Sequence, residues 1–214
     1  KDYFLTLLIE AIANTKVLHD NLVFKGGTAL RKLYFGNYRY SEDLDFTMKR
    51  EMEASEIREA FESALAYLAK EYNASFRIKE FNSKRHFTDI KMQFVGLKGN
   101  KNTISIDMGP NEIIVDDVPN KSAINPYYEK KYSIKTYSLE EIAAEKLRSV
   151  LQRTRVRDYY DIWYLLTNAK LDKGKVSNIF VKKARYKNIV LNNKADLLNA
   201  EKLVQAQAYY HSQI

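Results

Sequence analysis

The chain has 214 residues, and its 35 lysines and arginines outnumber 27 aspartates and glutamates for a net charge of +8, an excess that favours polyanionic partners such as RNA, DNA or nucleotides but also serves solubility. That length suits one domain, or one domain with a helical appendage, and buries roughly 70% of the surface of its unfolded form without staples. Cysteine is absent, which excludes a disulfide framework and a thiolate metal site and suits a reducing cytoplasm, while no run nears the roughly 18 apolar residues of a membrane span and no stretch reads as a signal peptide.

Phe4, Leu7, Leu8, Ala11, Ile12 and Leu18 recur at near-helical spacing and predict an amphipathic helix over Tyr3 to His19, with Asn14 and Thr15 as weaker positions. Leu22, Val23 and Phe24 read as a short buried strand. Gly26-Gly27 then permits backbone conformations closed to other residues. Thr28 to Tyr34 would open a helix, whose N-terminal N–H groups and dipole favour a phosphate. Asp43 and Asp45 stand two apart, so on a strand they share a face, with Leu44 and Phe46 turned to the core. Two carboxylates aimed into one space repel unless a cation lies between them. Mg²⁺ suits such a pair, because it takes a few carboxylates and fills its shell with water and substrate phosphates.

Ile57, Ala60, Phe61, Ala64, Leu65 and Leu68 make the stripe of a second helix, Glu53 to Tyr72. Residues 75–107 read as strands, with Ile90, Met92 and Phe94 on one face of Thr88 to Val95 and a hairpin turn over Gly96 to Lys101. On the last strand Ile104, Ile106 and Met108 point inward and Asp107 outward. Asp107 is thus either a third carboxylate of the site or a strand-end aspartate before Gly109-Pro110. A connector over 111–132 is expected to hold one short strand, Ile113 to Val115, with Asp116 and Asp117 as turn residues. After a strand at Ile134 to Tyr137, Ser138 and Glu141 have capping-box form. Helices follow through Arg153, carrying Lys146, and from Arg157, with Asp158 and Asp161 on one face. The rest reads as basic helices, with stripes Val176, Ile179, Phe180, Ala184 and Leu197, Leu198, Leu203, Ala206. The run Lys182 to Lys187 is either a solvated face or an RNA contact.

Alone, a D-x-D pair also marks a solvated strand edge, and Gly-Gly a plain turn; their ordered combination is far more specific. Gly26-Gly27-Thr28 with Arg31 or Lys32, then Arg39-x-Ser41-x-Asp43-Leu44-Asp45, resembles the first two motifs of the AbiEii/AbiGii toxin family of nucleotidyltransferases. Glu141-x-x-Ala144-x-Lys146-Leu147 with Arg153, followed by Arg157-Asp158-x-x-Asp161, resembles its downstream motifs less closely. The likeness spans Phe24 to Leu166. It implies an α+β (α/β) nucleotidyltransferase-like fold, a mixed β-sheet flanked by helices with a C-terminal helical region. Residues 1–133 would form the core with its N-terminal helix, and residues 134–214 the helical region completing the active-site cleft.

The resemblance also implies the chemistry: an NMP moved from an NTP to a hydroxyl of RNA (tRNA-like) or protein, in the toxin of an AbiE-like toxin–antitoxin pair with a cognate antitoxin. Asp43, Asp45 and Asp107 would be catalytic and hold Mg²⁺, or Mn²⁺ in its place, and Ile106-Asp107 matches the family's late acidic residue. Lys146 and Asp158 would also be catalytic. Gly26, Gly27, Thr28, Lys32, Arg39, Ser41, Arg157 and Asp161 would bind the nucleotide. The rival readings are a catalytically inactive nucleotide- or nucleic-acid-binding member of the same fold, and a non-enzymatic binding module favoured by charge alone.

Overall fold

The computed structural model describes residues 1–190 and Val204. The chain divides into two compact units, Lys1–Asn111 with Val118–Thr136, and Glu112–Asp117 with the chain from Tyr137 on.

In the first unit, α1 (Asp2–Asn14) is buried without a break from Phe4 to Ile12. The single helix expected as far as His19 is interrupted at Thr15. The backbone is extended there, and the hydroxyl donates to the Ala11 carbonyl at 2.8 Å. After α2 (Lys16–Asn21) and β1 (Leu22–Lys25), α3 (Gly26–Ala29) runs on as a π-helical turn, Leu30–Tyr34. The remaining elements are β2 (Leu44–Met48), α4 (Ala54–Tyr72), β3 (Phe76–Lys84), β4 (Phe87–Val95) and β5 (Lys101–Gly109). Their sheet has the order β1-β2-β5-β4-β3, with β2 and β5 parallel and the other pairs antiparallel.

Side chains alternate across a strand, so one face can close on the core. Phe24, Leu44, Phe46, Ile90, Met92, Ile104, Ile106 and Met108 are buried in a cluster that takes in the apolar stripes of α1 and α4. Phe24 and Phe46 are cross-strand partners and stack at 5.0 Å. Truncating Phe46 to alanine would cost roughly 3–5 kcal/mol. A two-stranded ribbon, β6 (Asn120–Ser122) with β7 (Ser133–Lys135), completes this unit. It is tied down where Thr136 Oγ1 donates to the Phe24 carbonyl at 2.8 Å.

The second unit holds α5 (Leu139–Gln152), α6 (Val156–Asn168) and α7 (Lys173–Tyr186). Ser138 caps α5, accepting from the Glu141 N–H at 3.0 Å. The reciprocal half of the capping box is diverted, because the Glu141 carboxylate accepts from the Val115 and Asp116 N–H groups instead. This also explains why Ile113 to Val115 is not a strand. The Val115 N–H faces Glu141, and the Ile113 carbonyl accepts from Lys183 at 2.7 Å. Lys183 is fully buried and ion-paired to Glu141 at 2.8 Å, with its ammonium 4.7 Å from the Tyr137 ring centre. It is neither solvated nor available to RNA, unlike its exposed neighbours Lys182 and Arg185. The stripe Leu197, Leu198, Leu203, Ala206 lies outside the described residues.

Candidate active site

The register of the first unit lines up acids across three strands. Asp45 on β2 is paired with Asp107 on β5, and Asp107 with Asp89 on β4. Directly opposed residues share a face with their Cβ atoms roughly 4.5–5.5 Å apart. Asp43 immediately precedes β2 and is exposed. Burial first, then the charges of Asp45, Asp43 and Asp89, pushes the Asp107 carboxyl up to about 6. Asp89 was not singled out in the sequence, although Ile90, Met92 and Phe94 facing the core already turn it to the face of Asp107. Asn82, its partner on β3, donates to it at 3.0 Å.

The glycine pair is fitted around these acids. Gly26 has φ +79°, and a Cβ there would stand 2.6 Å from Asp45 Oδ2. At Gly27 a Cβ would come within 2.7 Å of the Arg39 guanidinium and 3.2 Å of Ser41 Oγ. No side chain caps the first turn of α3. Thr28 is buried, with Oγ1 2.6 Å from the Asp43 carbonyl oxygen and 2.8 Å from Ser41 Oγ. A carbonyl only accepts, so Thr28 donates to it and the Ser41 hydroxyl donates to Thr28. Thr28 thus fixes the approach to β2, and Asp43 with it.

Lys32 is also held inside the protein. Its ammonium is buried between Asp2 Oδ2 at 2.8 Å and Thr6 Oγ1 at 2.9 Å. Burial lowers its pKa although Asp2 pulls the other way. It anchors the π-helical turn to α1 and is a structural ion pair. Arg31 joins the same anchor, 3.5 Å from Asp2 and donating to the Tyr38 carbonyl at 2.9 Å.

In the second unit the downstream motif residues come together. Lys146 on α5 lies 2.8 Å from Asp158 and 2.7 Å from Asp161 on α6, and Arg153 lies 2.9 Å from Asp158. Both acids are buried. Burial raises the Asp158 pKa, but Lys146 and then Arg153 outweigh it and hold the carboxyl below its ordinary value. Arg157 is exposed at the start of α6.

Among the described residues no three acidic or histidine side chains converge as a ready metal cage. Mg²⁺ does not need one, since it binds through one or two carboxylates and keeps water and phosphate ligands. The acidic row fits such an ion: hard oxygen donors, mutual repulsion that a cation relieves, and a glycine leaving space beside Asp45. No described helix is long and apolar enough to cross a membrane.

The family model described as nucleotidyl transferase AbiEii toxin, type IV toxin–antitoxin system, matches residues 8–213. No curated protein matches the chain. Among solved structures, MenT4, a nucleotidyltransferase toxin from Mycobacterium tuberculosis H37Rv, superposes with a TM-score of 0.66 at 20% identity, over 91% of this chain and 71% of its own. That likeness is one of fold.

Proposed function

The chain belongs to the AbiEii family of nucleotidyltransferase toxins of type IV toxin–antitoxin systems, and on that premise we propose that it transfers an NMP from an NTP to a hydroxyl of an RNA or protein acceptor. The observation that best supports this reading is the register of Asp45 against Asp107 beside Gly26. Asp43, Asp45 and Asp107 would hold Mg²⁺, which when bound offsets the charge of the triphosphate and of the departing pyrophosphate.

In this reading Asp107 takes the proton of the acceptor hydroxyl. The acceptor oxygen bonds to the α-phosphorus, the bond to the bridging oxygen breaks, and pyrophosphate leaves with that electron pair. Gly26 and Gly27 let the backbone approach the phosphates. Thr28 and Ser41 hold Asp43 in place, and Arg39 lies beside Gly27 as a cation for the nucleotide. Lys146, Asp158, Asp161 and Arg157 are assigned to the nucleotide by their motif, with Lys146 kept charged by its two aspartates. A cognate antitoxin follows from the family.

The test incubates wild type and Asp45→Asn with each NTP, radiolabelled in the α-phosphate, with Mg²⁺ and total tRNA. Label in RNA or protein with wild type alone supports the assignment, and the preferred NTP names the donor. Equal labelling by the variant refutes it. RNA binding without transfer from any NTP moves the reading to the inactive binding member of the fold.

A further inference from the structure

We propose that Asp89 is a further anchor of the divalent-ion site, acting on the water bound to the ion and not on the ion itself; the inference rests on the proposed metal role of Asp43, Asp45 and Asp107. Asp89 lies on β4 directly opposite Asp107 of β5, which is itself opposite Asp45 of β2. Thr88 and Ile90 beside it are buried, so strand alternation turns Asp89 to the outer face that carries the other two acids. The row ends on β3 at Asn82, whose side-chain amide donates to Asp89 Oδ2 at 3.0 Å.

An acid is costly at this place. Like charges directly opposite one another in a sheet are destabilising, and Asn82 brings Asp89 a hydrogen bond but no charge. Lys91, two residues along and on the same face, is engaged by Glu80 at 2.6 Å. A cation over the row would relieve the repulsion between Asp107 and both of its neighbours.

The strand spacing decides how Asp89 reaches that cation. Asp45 and Asp89 stand two strands apart, roughly 9.5 Å at the backbone, while Mg²⁺ takes its oxygen ligands at about 2.1 Å. Two side chains as short as aspartate do not meet one ion across that gap. A water on the ion closes it, because Mg²⁺ keeps several waters, and their protons need acceptors. Asp89 would accept from such a water, with Asn82 fixing its carboxylate, and so set how the ion stands against Asp107. Partners one step beyond the ligands carry roughly 10–100-fold of metal affinity.

The test reads metal binding with neither nucleotide nor acceptor, so it does not depend on transfer. Full-length wild type is titrated with Mn²⁺ alone, following the free ion by its electron paramagnetic resonance signal. Wild type should bind saturably, and Asp45→Asn should lose most of that binding. Asp89→Asn should keep the same number of bound ions with an affinity lower on the order of ten-fold. That loss should persist in about 1 M KCl, where the screening length is about 3 Å; a general effect of charge would not. In chelator Asp89→Asn should melt no lower than wild type, since the amide removes the repulsion from Asp107. No binding by wild type, or equal binding by Asp45→Asn, brings down the metal assignment and this inference with it. With those two as expected, unchanged affinity in Asp89→Asn, one bound ion fewer, or a loss that vanishes in salt overturns the role of Asp89 alone. A lower melt in chelator with unchanged affinity would make Asp89 a structural residue.

Discussion

Gly26 stands against Asp45 so closely that a methyl group on it would lie 2.6 Å from the carboxylate oxygen Oδ2. Its φ of +79° adds the strain of the left-handed region. Gly99 separates these two penalties, since it has φ +77° but nothing within 4 Å of an added Cβ. Gly99→Ala is therefore expected to cost about 1–2 kcal/mol and leave transfer activity intact. Gly26→Ala should cost more and abolish transfer by displacing Asp45. Thermal melts paired with the label-transfer assay decide it. An active Gly26→Ala would remove the glycine from the site.

Asp107 is predicted to destabilise the metal-free protein. Its folded pKa, about 6, is raised above its ordinary value of 3.8. The folded state therefore holds the proton more tightly than the unfolded state, and stability falls as pH rises from about 4 through about 6. Discounted for its partial exposure, the penalty above that window is about 1 kcal/mol. In chelator-containing buffer Asp107→Asn should be the more stable protein above pH about 6 and equal to wild type below pH about 4. Added Mg²⁺ should then stabilise wild type more than the variant, which keeps Asp43 and Asp45 but lacks the third carboxylate. Denaturant midpoints across pH read both effects, and a variant less stable than wild type at neutral pH would contradict the account.

Much of this site was legible in the chain because strand alternation is local. Leu44 and Phe46 go inward, so Asp45 goes outward, and Ile106 and Met108 do the same for Asp107. What local pattern does not carry is which strands become neighbours. Only the β1-β2-β5-β4-β3 order sets Asp107 between Asp45 and Asp89, so Asp89 carries no local sign of belonging to the acidic row. Lys32 and Lys183 show the same limit, since each is buried on partners distant in sequence, Asp2 and Thr6 for Lys32, Glu141 and the Ile113 carbonyl for Lys183. The π-helical turn at Leu30–Tyr34 left no sequence signal that we can identify.

Thr28 should act through Asp43. Thr28→Val keeps the shape but leaves the Asp43 carbonyl without this donor, at a cost of about 0.5–1.5 kcal/mol. The segment before β2 would loosen, so kcat is expected to fall with little change in KM for the NTP. Thr28→Ser retains the hydroxyl and should recover most of both losses. Steady-state transfer kinetics on the three proteins test this, and a Thr28→Val defect confined to KM would instead favour direct contact with the nucleotide.

Lys146 should carry stability as well as any role in transfer. Its pKa is raised, because Asp161 and Asp158 outweigh the lowering by burial, and that of Asp158 is lowered by Lys146 and Arg153 against burial. The lysine's share is thus present below the ordinary lysine value of 10.5 and lost as pH rises through its higher folded value. The share of Asp158 is present above 3.8 and lost as pH falls through its lower folded value. Lys146→Met leaves two buried carboxylates with their main cation gone, for a loss of roughly 3–5 kcal/mol near neutral pH. Arg153, still 2.9 Å from Asp158, holds the loss toward the lower end. The pH response should also invert. Wild type loses stability on acidification as Asp158 is protonated, whereas the variant gains, because burial without Lys146 favours the neutral acids. Urea unfolding across pH measures both signs, and a variant that loses less than about 1 kcal/mol and keeps the wild-type slope would show that the ion cluster is not a stabilising element.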